Sequence, residues 1–212
     1  EGSLGYFGHG LIDGPCPGFE QPASTISSVV AGGADAILTS YGIARNFAEE
    51  LDGVGLILRS DGASSNLGSP STGSTGSFFG PDDAVQVGAD ALVVTALPGS
   101  DKEDMTLENL ARTASAAHAI GVPMLGEMVP GGFDSPPEMR GTEAVAFAAR
   151  LGAELGADFI KAPYCADYAK VTSSTFVPVV ILGGSKTSEA DMLTDIRSAL
   201  DSGAAGVAIG RN

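Results

Sequence analysis

Residues 156–163 read Gly156-Ala157-Asp158-Phe159-Ile160-Lys161-Ala162-Pro163 and join the end of a helical pattern to a short extended run. Glycine at the first position suits a left-handed residue closing the helix, and the residues after it begin a strand. The same punctuation recurs at Gly33-Ala34-Asp35, Gly88-Ala89-Asp90 and Gly203-Ala204-Ala205, each time just before an apolar run. Working outward from these marks gives eight strand candidates: residues 4–8, 36–40, 55–60, 91–97, 123–129, 158–163, 177–182 and 206–210. The fifth and seventh follow Val122-Pro123 and Val177-Pro178 instead. Helical composition fills residues 43–51, 107–120, 142–155 and 189–202, where small and apolar residues recur every three or four positions.

Near-continuous apolar strands alternating with helices imply a parallel sheet buried on both faces, and eight such strands close a barrel. The expected fold is therefore an α/β (β/α)₈ TIM barrel, a single domain over residues 1–212. It reads as clipped at the N-terminus, because the first strand starts at residue 4, and as lacking the last helix, because the chain stops just after the eighth strand. Either the chain is a fragment of a longer protein, the preferred reading, or neighbouring subunits of a homo-oligomer cover the edge. Residues 61–80, rich in Ser, Gly and Thr, follow the third strand at the end where barrel active sites lie, and are expected to form a mobile cover.

Composition excludes several classes. With 43% hydrophobic and 17% charged residues the chain is too apolar for disorder. Neither a run of about 18 apolar residues nor a basic, apolar leader is present, so a soluble cytoplasmic protein with no membrane partner is expected. The 26 acidic against 11 basic residues give a net charge of −15, and the bases do not cluster, which argues against a nucleic-acid partner. Cys16 and Cys165 have neither disulfide-framework nor zinc-site spacing and read as ordinary thiols.

Among only four lysines, Lys161 stands out. Period-two alternation puts it on one strand face with Phe159 and Pro163, and if that face lines the barrel, an ammonium sits among apolar side chains at the C-terminal rim. Burial favours the neutral amine, the form that attacks a carbonyl to make a Schiff base. A strand-end lysine snorkelling to solvent is the plainer alternative. Glu127, in phase with Leu125 and Val129 on the fifth strand, is a candidate acid–base group or a simple ion-pair partner of Lys161. His9 and Asp13, after the first strand, are further candidates, whereas His118 inside a helix reads as a surface or packing residue. The seventh and eighth strands end in VVILGGSK and GVAIGRN. Glycines there let backbone N–H groups approach an anion, so Gly183, Gly184, Ser185, Lys186, Gly210 and Arg211 are expected to hold a phosphate.

Four stretches, GHGLIDGPCPGFE near the first strand, FIKAPY, GGSKT and GVAIGRN, resemble the bacterial and archaeal class I aldolases of the DhnA type. That family includes archaeal fructose-bisphosphate aldolase, aminodideoxy-heptulosonate synthases, sulfofructose-phosphate aldolases and the autoinducer-2 phosphate thiolase. The resemblance runs in order over nearly the whole chain. It implies a barrel whose sixth-strand lysine, here Lys161, forms a Schiff base with a ketone, with phosphate held after strands seven and eight and no metal or other cofactor required. Two departures fall on proton-transfer groups. Members carry Asp-His-Gly where this chain has Gly8-His9-Gly10, and the fructose-bisphosphate type carries a tyrosine where this chain has Val129.

The expected activity is reversible aldol cleavage of a phosphorylated ketose, or its reverse from dihydroxyacetone phosphate, with Glu127, or Asp13 through water, moving the proton. Two alternatives stay open. One is a related Schiff-base acyl or amino-sugar transfer, of the thiolase or heptulosonate synthase type. The other is a barrel that binds a sugar phosphate without turning it over.

Overall fold

The computed structural model describes residue 18 and residues 20–62, 75–133, 135–184 and 187–210. Helix α1 (Pro22–Ala31) leads into β1 (Ala36–Thr39), α2 (Tyr41–Asn46) and β2 (Gly55–Arg59). A two-residue pair, β3 (Asp61–Gly62) and β4 (Gly76–Ser77), precedes α3 (Pro81–Gln86), β5 (Ala91–Ala96), α4 (Glu103–His118) and β6 (Met124–Met128). A 3₁₀ turn at Pro137–Arg140, α5 (Thr142–Glu154), β7 (Phe159–Ala162), α6 (Tyr168–Ser174), β8 (Val179–Leu182), α7 (Glu189–Asp201) and β9 (Gly206–Ala208) complete the order.

Seven strands form one curled parallel sheet in the order β1-β2-β5-β6-β7-β8-β9. They are the second to eighth strands expected from the sequence; the expected first strand, residues 4–8, lies outside the described residues. The repeated glycines behave as read. Gly33, Gly88, Gly156 and Gly203 all have positive φ, 103° at Gly156, where a side chain would be strained. The aspartates after two of them have a structural role the sequence did not reveal. Asp90 accepts the backbone N–H of Leu56 at 2.8 Å and Asp158 that of Met124 at 2.7 Å, so each closes the start of the preceding strand.

The outer face of the sheet packs on the helices, with Leu58, Leu92, Met124, Ile160 and Val179 against Leu110 and Ala114 of α4 and Val145 and Ala149 of α5. Each such fully buried aliphatic side chain contributes about 1.5–3 kcal/mol. On the concave face Leu38, Val93 and Leu125, with Ile57 and Phe159, form an apolar floor. Side chains two positions further along each strand stand on that floor.

Three short helices, α1, α3 and α6, were not expected, and the helix expected at 43–51 ends at Asn46, whose side chain donates to the Gly42 carbonyl at 2.7 Å. Helix α3 starts at Pro81, where a missing N–H costs nothing, and the Asp83 carboxylate accepts the N–H of Gly80 at 2.8 Å. Of the stretch expected as a mobile cover, the described ends are tied down. Asp61 and Gly62 pair with Ser77 and Gly76, and the backbone N–H of Phe78 donates to the Ser60 carbonyl at 2.8 Å. Residues 63–74 lie outside the described residues. Among the described residues no helix is long and apolar enough to cross a membrane.

Candidate active site

Above the apolar floor, toward the C-terminal ends of the strands, the concave face changes character. Ile57 is followed in phase by Arg59, Val93 by Thr95, Leu125 by Glu127 and Phe159 by Lys161. All four polar side chains are buried, and Asp61, just past β2, is buried with them.

Glu127 and Lys161 are register partners on β6 and β7, which places their side chains together on one face. The Lys161 Nζ lies 2.7 Å from Glu127 Oε1. Glu127 Oε2 meets Arg59 Nη1 at 2.7 Å and accepts the Thr95 hydroxyl at 3.0 Å. Arg59 Nη1 also donates to Thr95 Oγ1 at 2.8 Å and stands 3.3 Å from Asp61 Oδ1. The Asp61 Oδ2 accepts the backbone N–H of Thr95 at 3.0 Å. Two cations and two carboxylates are thus linked in a row beneath the rim. Removing one partner of such a buried set leaves an uncompensated charge, at a cost of about 3–5 kcal/mol.

Burial pushes the Asp61 carboxyl up to about 6, against the opposing pull of Arg59 and the Thr95 N–H, and the nearby Glu127 raises it further. Asp61 therefore changes charge close to neutral pH.

The expectation that the Lys161 ammonium would sit among apolar side chains needs correction. Its strand neighbours Leu125 and Phe159 form the floor, but the ammonium itself meets a carboxylate. The structure brings together Lys161 and Glu127 of the sequence candidates. His9 and Asp13 lie outside the described residues. At the end of β8, Gly183 lies against Ile209: a Cβ on Gly183 would come within 3.1 Å of the Ile209 side chain, so the turns after β8 and β9 are neighbours. Gly184 adopts φ 64°, and Gly210 follows β9. Ser185, Lys186 and Arg211 lie outside the described residues. At the position of the missing tyrosine, Val129 is buried and its N–H donates to the Ala96 carbonyl at 2.9 Å, so no side-chain proton donor stands there.

Arg59, Asp61 and Thr95 escaped the sequence reading. Arg59 follows Ile57, and Thr95 follows Val93, in the same two-residue phase that marks Lys161. An arginine closing a strand before Ser-Asp, however, looks like an ordinary exposed strand end.

The DeoC/LacD family aldolase model matches residues 3–212. This chain belongs to that aldolase family. It is 37% identical over 210 residues to the 2-amino-3,7-dideoxy-D-threo-hept-6-ulosonate synthase of Halobacterium salinarum, covering 96% of this chain and 76% of that protein. It is 30% identical over 208 residues to the 3-hydroxy-5-phosphonooxypentane-2,4-dione thiolase of Klebsiella pneumoniae, covering 97% of this chain and 68% of the thiolase. Among solved structures it is similar to an archaeal fructose-1,6-bisphosphate aldolase whose catalytic lysine is covalently bound to the carbinolamine intermediate. That similarity has a TM-score of 0.82 at 32% identity, over 93% of this chain and 79% of the other. Family membership makes this chain an aldolase, and the resemblance read from its motifs belongs to the same group of enzymes.

Proposed function

We propose that this aldolase cleaves and forms a carbon–carbon bond of a phosphorylated ketose through an imine on Lys161, with Glu127 carrying the proton. The observation that carries the reading is the 2.7 Å contact between Lys161 Nζ and Glu127 Oε1 at the C-terminal ends of two register-paired strands. A carboxylate at that distance can take a proton from the ammonium, and the amine then attacks the ketone carbonyl. The proton returns to the carbinolamine oxygen, which leaves as water and yields a protonated imine. Removal of the proton from the C4 hydroxyl lets the C3–C4 bond break, its electron pair flowing into the imine. An aldehyde departs, and the remaining enamine is protonated at C3 and hydrolysed to the ketone phosphate and free Lys161.

In this reading the phosphate is held by the turns at Gly183, Gly184, Ser185 and Lys186 and at Gly210 and Arg211, which the contact of Gly183 with Ile209 supports as one locus. The same reading keeps the expected (β/α)₈ barrel and a single domain over residues 1–212, which the curled seven-stranded parallel sheet supports. Acyl or amino-sugar transfer by the same imine is the second reading. It is favoured by Val129 in place of a tyrosine and by the 37% identity to a heptulosonate synthase.

Product analysis by mass spectrometry, with a panel of phosphorylated ketoses and ketone–aldehyde pairs, tests the proposal. It predicts an aldehyde and a ketone phosphate from at least one ketose, and their loss in Lys161→Met. Transfer products alone would favour the second reading. Binding with no turnover of any member would leave a sugar-phosphate-binding barrel.

A further inference from the structure

We propose that Arg59 and Asp61 are positioning residues for Glu127: the guanidinium fixes the carboxylate so that Oε1 faces Lys161, and the Asp61 carboxylate divides the guanidinium charge and so keeps Glu127 basic. This rests on the reading of Lys161 as imine former and Glu127 as proton carrier.

Arg59 ends β2, and Glu127 lies two strands away on β6, so the arginine reaches across β5 over Thr95. One nitrogen, Nη1, meets three oxygens: Glu127 Oε2 at 2.7 Å, Thr95 Oγ1 at 2.8 Å and Asp61 Oδ1 at 3.3 Å. That nitrogen carries two hydrogens, so the three acceptors compete for it. Glu127 is held by its Oε2 through the guanidinium and the Thr95 hydroxyl, and its rotation about the carboxyl group is fixed with the other oxygen on Lys161. An arginine pairing only with Glu127 would hold the carboxylate firmly ionised and make it a poor proton acceptor. A second carboxylate beside the same nitrogen opposes that effect. Asp61 is itself fixed by the Thr95 backbone N–H, so it cannot turn away.

The consequence is a pH dependence. The titratable and charged groups that face Asp61 among the described residues are Arg59 at the end of β2 and Glu127 on β6, with Lys161 on β7 beyond Glu127. From β5, Thr95 faces it with neutral groups, and β4 consists of Gly76 and Ser77. As pH falls through about 6 Asp61 takes a proton, Arg59 acts on Glu127 alone, and proton transfer after imine formation slows.

The experiment compares turnover with the initial rate of borohydride trapping at Lys161, from pH 5 to 8, in the wild type, Asp61→Asn and Arg59→Lys. The ratio of turnover to trapping removes the shared step of imine formation. The wild-type ratio should fall below pH 6. In D61N it should be low and flat, about tenfold below wild type at pH 7.5. In R59K, whose ammonium ends one atom short of the Nη1 position and so cannot keep all three contacts across β5, the ratio should fall ten- to a hundredfold at pH 7.5. A D61N ratio superimposable on that of the wild type would overturn the proposal. So would an R59K variant in which turnover and trapping change in equal proportion, and this arm decides alone if D61N does not fold. Absence of trapping in the wild type would instead refute the imine reading on which the proposal rests.

Discussion

The Nζ of Lys161 and the Oε1 of Glu127 stand 2.7 Å apart between strands whose backbone pairs these same two residues. The sheet itself sets their separation, so no loop movement is needed to assemble the pair. That rigidity gives Glu127→Gln a definite outcome. Glutamine keeps the size but removes both the proton acceptor and the charge that favours the Lys161 ammonium. The buried lysine shifts to its neutral form, so the imine should still form, while carbon–carbon chemistry slows by about 10²–10⁴. Steady-state turnover and borohydride trapping on the same variant measure the split. Retained turnover would remove Glu127 from the mechanism and leave Asp13 and His9 as candidates.

Asp61 should give the folded protein an unusual response to pH. Its folded-state value is raised from 3.8 to about 6, so the folded protein holds this proton more tightly than the unfolded chain. The stabilisation is complete below the unfolded value and is lost as pH rises through the folded one, the reverse of a salt-bridged carboxylate. The difference in unfolding free energy between wild type and D61N should therefore drift against the wild type between pH 4 and pH 8, by up to about 3 kcal/mol. Urea unfolding at several pH values measures it, and a constant difference would show that folding does not shift the Asp61 carboxyl.

The proposed phosphate site predicts a selective loss. Charge-assisted contacts contribute about 1.5–3 kcal/mol each, so Arg211→Ala should weaken phosphorylated ligands by about ten- to a hundredfold and leave unphosphorylated analogues nearly unchanged. Calorimetric titration of both ligand types checks this. Equal losses for both types would remove Arg211 from the phosphate contact.

At the opposite end of the sheet, Asp158 accepts the Met124 N–H at 2.7 Å and lies 2.9 Å from His118 Nε2. Asp158→Ala would leave a partly buried backbone donor without its acceptor, a cost of about 1–3 kcal/mol, whereas the half-exposed His118 adds little. Thermal and urea denaturation should show the loss, with trapping at Lys161 unchanged. A fall in trapping in a variant that remains folded would mean that the two ends of the strands are coupled.

Much of this arrangement is legible in the chain, for reasons that differ by element. The sixth expected strand is marked by a glycine that needs positive φ and by apolar alternation, two independent signals, and β7 forms there with Lys161 on the concave face. Glu127 is visible because a carboxylate inside an apolar strand is costly unless it is paired. Arg59 is hidden because it closes its strand, where a cation is unremarkable, and its partners are brought to it by β5 and β6 rather than by neighbours in sequence. Helices α3 and α6, of six and seven residues, span too few turns to show a period. The charge row itself depends on the side-by-side order of β2, β5, β6 and β7, which no local pattern records.

The central claim, a covalent imine on Lys161, is tested most directly by adding borohydride to the protein with dihydroxyacetone phosphate and mapping the added mass by peptide sequencing in a mass spectrometer. A lysine that can pass its proton to the adjoining carboxylate should form the imine, and reduction makes the bond permanent, so the mass should sit on Lys161 and disappear in Lys161→Met. Mass fixed to Lys186 or another lysine, or no labelling with this or any other ketone, would contradict the account.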